Sequence, residues 1–242
     1  MADKIIKFKN VKKTYSAELK RKKTALTSLS LEVEKGEVFG IIGPNGAGKS
    51  TTLKILLGLV LHDSGEVSLN NHDPATPASH QHIGYLPESP CLYPNLSLID
   101  HLKFAGKVAR YPKKLINTRI DELLHLVNMT QAAKTAIGKY SKGMTQRAAL
   151  AYALFHKPEI AILDEPMSGM DPIGRKLIID IILEYNRMGN TVLFCSHILT
   201  DVQRICNRIG VMHKGRLATT LNSSQLSSEL ELEDIFLSTA TK

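Results

Sequence analysis

The residues with the most explicit chemistry are Gly43-Pro44-Asn45-Gly46-Ala47-Gly48-Lys49-Ser50, followed by Thr51. They match G-x-x-x-x-G-K-[ST], the spacing of a phosphate-cradling loop. Glycines let such a loop curl so that successive N–H groups point at phosphate oxygens. A helix N-terminus adds partial positive charge. Lys49 supplies a full charge to the outer phosphates, and Ser50 offers a hydroxyl to Mg²⁺. Charged hydrogen bonds contribute roughly 1.5–3 kcal/mol each, against about 0.3–1 kcal/mol for a helix dipole. Lys49 is therefore the expected dominant group. A second stretch, Ile160-Ala161-Ile162-Leu163-Asp164-Glu165-Pro166, is an apolar run ending in two acids. Asp164 at the tip can hold Mg²⁺ through water, and Glu165 can polarise an attacking water as general base. Together the two stretches predict binding and hydrolysis of a nucleoside triphosphate.

Such groups need strands and helices to hold them. Ile5–Phe8 and Leu29–Val33 alternate apolar and polar residues, as half-buried strands do. Lys35-Gly36 reads as a turn. Val38–Ile42 reads as a buried strand feeding the loop, with helical character over Thr51–Val60 behind it. Ser97 with Asp100 resembles a capping box. Leu98, Leu102, Ala105 and Ala109 then share one helical face, and Ile116, Ile120, Leu123, Leu124 and Val127 share another. A third helix is expected from about Met144 to Phe155. Asp171-Pro172 is an N-cap and first-turn pair, with Gly189 as a stop. Thr191–Cys195 reads as a strand, and Leu199, Val202, Ile205 and Ile209 as a following helix. Lys214-Gly215 reads as a hairpin turn. Strand–helix alternation at both ends predicts a mostly parallel sheet, split by a helical insertion.

A third motif narrows the class. Tyr140-Ser141-Lys142-Gly143-Met144-Thr145-Gln146-Arg147 precedes the acid-tipped strand and resembles the signature of ABC (ATP-binding cassette) proteins, which in many members reads LSGGQ. Ser141 and Gly143 match; Lys142 and Met144 depart from the commonest form, in a way often met in the exporter-like branch. The resemblance covers nearly the whole chain. It implies an α/β fold: a P-loop NTPase with a mostly parallel RecA-like core, an N-terminal antiparallel β part and an inserted α-helical subdomain. On that pattern residues 1–87 and 156–220 form the core with its β subdomain, 88–155 the helical signature subdomain and 221–242 a C-terminal tail.

The resemblance also implies roles. Ser141 and Gly143 become a second phosphate clamp, presented to the ATP of a partner subunit. Ser168-Gly169-Met170-Asp171 looks like the D-loop at the dimer seam. His197 is placed like the switch histidine that contacts the γ-phosphate, and Tyr15 like the aromatic under adenine. Glu88, in Tyr85-Leu86-Pro87-Glu88, stands where the family usually has glutamine. A carboxylate there adds a negative charge but remains a competent Mg²⁺ ligand. The implied ligands are ATP and Mg²⁺. The implied partners are a second ATP-binding subunit, expected to be another copy of this chain, and an integral membrane permease. The ending Leu232-Glu233-Asp234-Ile235-Phe236-Leu237 resembles that of short exporter-type subunits, which favours export.

Composition bounds these readings. The chain has 242 residues, 43% hydrophobic and 22% charged, as in ordinary globular proteins. Cys91, Cys195 and Cys206 form no C-x-x-C, so neither a disulfide framework nor a zinc site is expected. The longest apolar stretch, Ala148 to Phe155, falls far short of the ~18 residues of a membrane span. No signal peptide opens the sequence, so a membrane role must run through a partner, at the cytoplasmic face. The net charge of +8 is concentrated before residue 24, at Lys4, Lys7, Lys9, Lys12, Lys13, Lys20, Arg21, Lys22 and Lys23 against Asp3 and Glu18. A basic face suits nucleic acid, an anionic leaflet, an acidic protein or simply solvent. It is the only support for the alternative of a soluble ABC-type ATPase acting on nucleic acid or ribosomes, so no nucleic acid is expected. A non-catalytic ATP sensor would need a damaged Lys49 or Glu165, and both are intact. No N-K-x-D motif supports a GTPase.

Overall fold

The computed structural model describes residues 3–16, 22–226 and 229–240. Glu18, Lys20 and Arg21 of the basic run lie outside the described residues. In chain order the elements are β1 (Lys4–Ser16), β2 (Lys22–Glu34), β3 (Val38–Ile42), α1 (Lys49–Leu56), β4 (Ser64–Leu69), α2 (Pro77–His80), β5 (Ile83–Leu86), α3 (Leu98–Val108), α4 (Ile116–Leu126), α5 (Lys142–Ala153), β6 (Ile160–Asp164), α6 (Pro172–Arg187), β7 (Thr191–Cys195), α7 (Leu199–Ile205), β8 (Arg208–His213), β9 (Arg216–Asn222) and α8 (Glu229–Ala240). The chain divides into two compact units, Met1–His82 with Thr191–Lys242, and Ile83–Asn190.

The first unit holds two sheets. One is antiparallel, in the order β2-β1-β4. Ile6, Phe8, Leu29, Leu31 and Val33 are buried on one face while Lys9, Ser30 and Glu32 are exposed. That alternation belongs to a sheet with one dry face. In the other sheet β3 runs parallel to both β7 and β8, and β9 returns antiparallel to β8 through the Lys214-Gly215 turn. All five residues of β3 and of β7 are buried. Their continuous apolar runs reflect cover on both faces.

The second unit is built on a parallel pair, β5 and β6, with α3, α4, α5 and α6. Leu98, Leu102 and Ala105 of α3, with Ile120, Leu123 and Leu124 of α4, are buried as the periodicity predicts. Ser97 and Asp100 form the full capping box, and Asp171 caps α6 with Pro172 in its first turn. Among the described residues no helix is long and apolar enough to cross a membrane.

Some expectations fail locally. The helix expected over Thr51–Val60 ends at Leu56, with Gly58 at φ +66 just beyond it. Ala109 is the exposed C-cap of α3 rather than part of its buried face. Ile209 lies in β8, not in the preceding helix, which stops at Ile205. The Asn207 side chain accepts from Val38 N–H at 2.7 Å, and Asn207 N–H donates back to Val38 O at 2.8 Å. Pairing with β3 therefore pulls the chain out of the helical path.

Candidate functional site

Strand β3 delivers the chain directly into the Gly43–Gly48 loop, and α1 begins at Lys49. Gly48 is the N-cap, at φ +110, and provides no side-chain cap. No acidic residue occupies the first turn of α1. The helix thus opens with backbone donors unmet by its own side chains and its positive end uncompensated. A Cβ on Gly48 would lie 2.8 Å from Ala25 O and 2.8 Å from Leu26 Cδ2. Both the backbone angle and the space at this position demand glycine. Lys49 Nζ donates to Gly43 O at 2.6 Å and lies 3.4 Å from Pro44 O, so the ammonium is folded over its own loop.

The loop borders a cleft of about 220 Å³ lined by Tyr15, Lys23, Ala25 and residues 44–51. Tyr15 sits opposite Lys23 in the β1–β2 pair. Lys13 Nζ lies 5.5 Å from the centroid of the Tyr15 ring, a cation–π contact. Lys13 is also held by Asp63 at 3.2 Å. His197 follows β7 and is exposed. The parallel register pairs Ile41 with Cys195, and Ser196 N–H donates to Ile41 O at 3.3 Å. Gly43 and His197 therefore leave the same end of neighbouring strands, where ligands of parallel sheets gather. Tyr15, the Gly43–Thr51 loop and His197 all belong to this first unit.

The acidic residues belong to the second unit. Leu86 of β5 pairs with Leu163 of β6, so Glu88 and the Asp164-Glu165 pair emerge from one end of that parallel pair. Glu165 has φ +49, a left-handed conformation uncommon outside glycine and asparagine. Such strain is retained where the surroundings impose it, often at functional positions. The turn behind it is closed by Ser168 N–H donating to Glu165 O at 3.1 Å.

Also in this unit, Ser141 is the N-cap of α5, accepting from Met144 N–H at 3.2 Å. A hydroxyl that accepts from the backbone still has its own proton to donate. Ser141 and Gly143 border a cleft of about 260 Å³ with Lys142, Met144, Arg147, Gly169, Met170, Asp171 and Gly174. Arg147 donates to the carbonyls of Val127 and Asn128, and Asp171 Oδ1 accepts from Gly174 N–H at 2.7 Å. Lys23, Ala25 and Lys142 border these clefts without having been expected there. The Ala25 contact that constrains Gly48 is made by its carbonyl, which leaves no trace in residue type.

The family model for ABC transporters matches residues 26–168. The chain belongs to the ABC transporter family. It is 37% identical over 228 residues to the linearmycin resistance ATP-binding protein LnrL of Bacillus subtilis, covering 93% of this chain and 72% of that one. It is 36% identical over 219 residues to the bacitracin transport ATP-binding protein BcrA of Bacillus licheniformis, covering 88% and 68%. The share spanned is 72% of the first curated relative and 57% of the second, an uncharacterised ABC transporter ATP-binding protein of Synechocystis. Among solved structures, the dimeric post-hydrolysis state of the cassette MJ0796 bound to ADP and Pi superposes with a TM-score of 0.83 at 25% identity, over 90% of this chain and 98% of that one. The ABC chain described here is accordingly an ATP-binding ATPase cassette with the P-loop fold.

The oxygen donors of the cassette suit Mg²⁺, a hard cation that prefers one or two carboxylates together with phosphate and water. In the second unit Glu88 and Asp164 carry carboxylate oxygens, and in the first unit Ser50 carries a hydroxyl. Among the described residues no group of three or more His, Cys, Asp or Glu side chains forms a metal cage. A phosphate-borne Mg²⁺ does not require one.

Proposed function

We propose that two copies of this cassette close around two ATP molecules and drive a separate integral membrane permease, in the direction of export. The observation that carries the clamp is that one chain presents two unlike phosphate-ready surfaces. The Gly43–Thr51 loop offers a cationic cradle, and Ser141 with Gly143 opens a second helix beside the 168–171 turn. In a two-fold pair each surface of one copy meets the other surface of its mate. Export draws support from the resistance and bacitracin-transport names of the relatives.

In this reading Tyr15 stacks on adenine, and Gly43, Pro44, Asn45, Gly46, Ala47, Gly48 and Thr51 wrap the phosphates. Lys49 neutralises the β- and γ-oxygens as the terminal phosphoryl group departs. Ser50, Asp164 and Glu88 would hold Mg²⁺, which would supply positive charge against the phosphates. Glu165 takes a proton from the attacking water as its oxygen bonds to the γ-phosphorus and the bond to the β,γ-bridging oxygen breaks. His197 donates to the γ-phosphate. Ser141 and the Gly143 N–H close on that phosphate from the mate. Residues 88–97, which lead from Glu88 to the capped start of α3, carry the change to the permease.

Of the nine basic residues in the N-terminal run, three form ion pairs among the described residues. Lys4 pairs with Glu34 at 2.5 Å, Lys9 with Glu66 at 3.5 Å and Lys13 with Asp63 at 3.2 Å.

The test is Glu165→Gln. It is expected to keep ATP binding, slow hydrolysis by about 10²–10⁴-fold and run as a dimer on size exclusion in ATP. A monomer at every concentration would overturn the clamp. Affinity purification from detergent-solubilised membranes tests the permease: a partner with several apolar segments of ~20 residues is expected, and its absence would overturn the transport reading.

A further inference from the structure

The position after Ser141 carries a lysine where the commonest signature has glycine, and its surroundings give that lysine a purpose. Lys142 is the first residue of α5 and is exposed. Its one polar contact among the described residues is the Ser168 hydroxyl, at 3.4 Å, the long end of a hydrogen bond. The stem crosses the face of Gly169: a Cβ there would lie 2.6 Å from Lys142 Nζ and 2.9 Å from its Cδ. Gly169, at φ +70, thus leaves the lane along which the ammonium lies.

The neighbouring charges are already engaged. Arg147 is committed to two backbone carbonyls, and Asp171 Oδ1 to the N-terminus of α6. The first turn of α5 contains no acid. Lys142 is therefore a full positive charge resting on a neutral hydroxyl, beside Ser141 and Gly143, in a cleft open to solvent. A neutral acceptor at that distance holds an ammonium far less strongly than an ionised phosphate oxygen does.

We propose that Lys142 is an additional phosphate ligand of the clamp, parked on Ser168 in the open subunit and transferred to the terminal phosphate of the ATP carried by the mate. The inference rests on the paired-clamp reading above and deepens it. The transfer also releases Ser168, so arrival of the mate's ATP is felt at the 168–171 turn.

The experiment measures the association constant of Glu165→Gln in saturating Mg-ATP across a series of salt concentrations, alone and combined with Lys142→Ala, Lys142→Gln or Lys142→Arg. Each site loses one charged contact and the pair has two sites, so the association constant is expected to fall by roughly 10²–10⁴-fold. Lys142→Ala and Lys142→Gln are expected to show that loss and a shallower dependence on salt, because a screened ion pair is gone. Lys142→Arg is expected to keep most of both. A merely structural lysine would change the melting temperature and leave the salt slope alone. Equal affinity and equal slope in the parent and in Lys142→Ala would overturn the proposal while leaving the clamp standing. A parent that stays monomeric in ATP would overturn both. An equal, Lys142-dependent association in inorganic phosphate alone would overturn the assignment to the mate's ATP.

Discussion

The Lys49 ammonium lies 2.6 Å from the carbonyl oxygen of Gly43, six residues earlier in the same loop. The contact holds the cation over the cradle rather than out in solvent. A carbonyl is a neutral acceptor, so a phosphate oxygen competes for the ammonium on favourable terms. Lys49→Ala is expected to lower kcat/KM for Mg-ATP by about 10²–10³-fold, the usual cost of losing one preorganised donor to developing charge. Lys49→Arg is expected to recover little of it, since a planar fork cannot occupy the place of a compact point charge. Steady-state phosphate release checks both.

Gly48 fixes the shape of that cradle. Its φ of +110 and the 2.8 Å approach of a virtual Cβ to the Ala25 carbonyl act together, and the obstacle is backbone. Gly48→Ala is expected to cost about 1–3 kcal/mol of stability and to abolish nucleotide binding. Calorimetric unfolding and fluorescent-nucleotide titration measure the two effects separately. A variant that binds nucleotide normally would show that the loop tolerates another shape.

The capping box of α3 offers a pH test. The Ser97 hydroxyl, and then the Ser97 backbone N–H, hold the Asp100 carboxyl below its ordinary value. A carboxylate whose folded pKa is depressed adds stability above the unfolded pKa of ~3.9 and loses it as pH falls through the lower folded value. Asp100→Asn should therefore lower the melting temperature near neutrality, and the gap to wild type should narrow as pH falls below about 4. Ser97→Ala should cost about 1 kcal/mol at neutral pH. Thermal melts across the acid range check both. A constant gap would show that the carboxylate charge plays no part.

What was legible in the sequence was local. The loop at Gly43–Ser50, the Ser97–Asp100 box and the Asp171-Pro172 cap each act within a few residues, so their chemistry is written in adjacent letters. Features set by distant partners were harder to read. Ile209 continued the spacing of Leu199, Val202 and Ile205, yet Asn207 pairs with Val38, and that long-range contact decides the matter. Strand β4 has few apolar residues and pairs with β1, some sixty positions earlier in its register of Ile6 with Leu69. Lys142 reads in the sequence as a departure from the commonest signature; its contact with Ser168 across the face of Gly169 depends on residues some 26 positions away. The Ala25 carbonyl that crowds Gly48 is one that any residue would supply.

The account turns on one copy closing the phosphate site of another, and a hybrid pair measures that most directly. A Lys49→Ala subunit keeps its Ser141 surface, and a Ser141→Arg subunit keeps its Gly43–Thr51 cradle. Each variant alone has no complete site. Mixed in a Glu165→Gln background that holds ATP without hydrolysing it, they restore one. The number of tightly held ATP molecules per purified hybrid pair is the quantity to count. The account predicts one in the hybrid and none in either variant alone; no held ATP in the hybrid, or two, would contradict it.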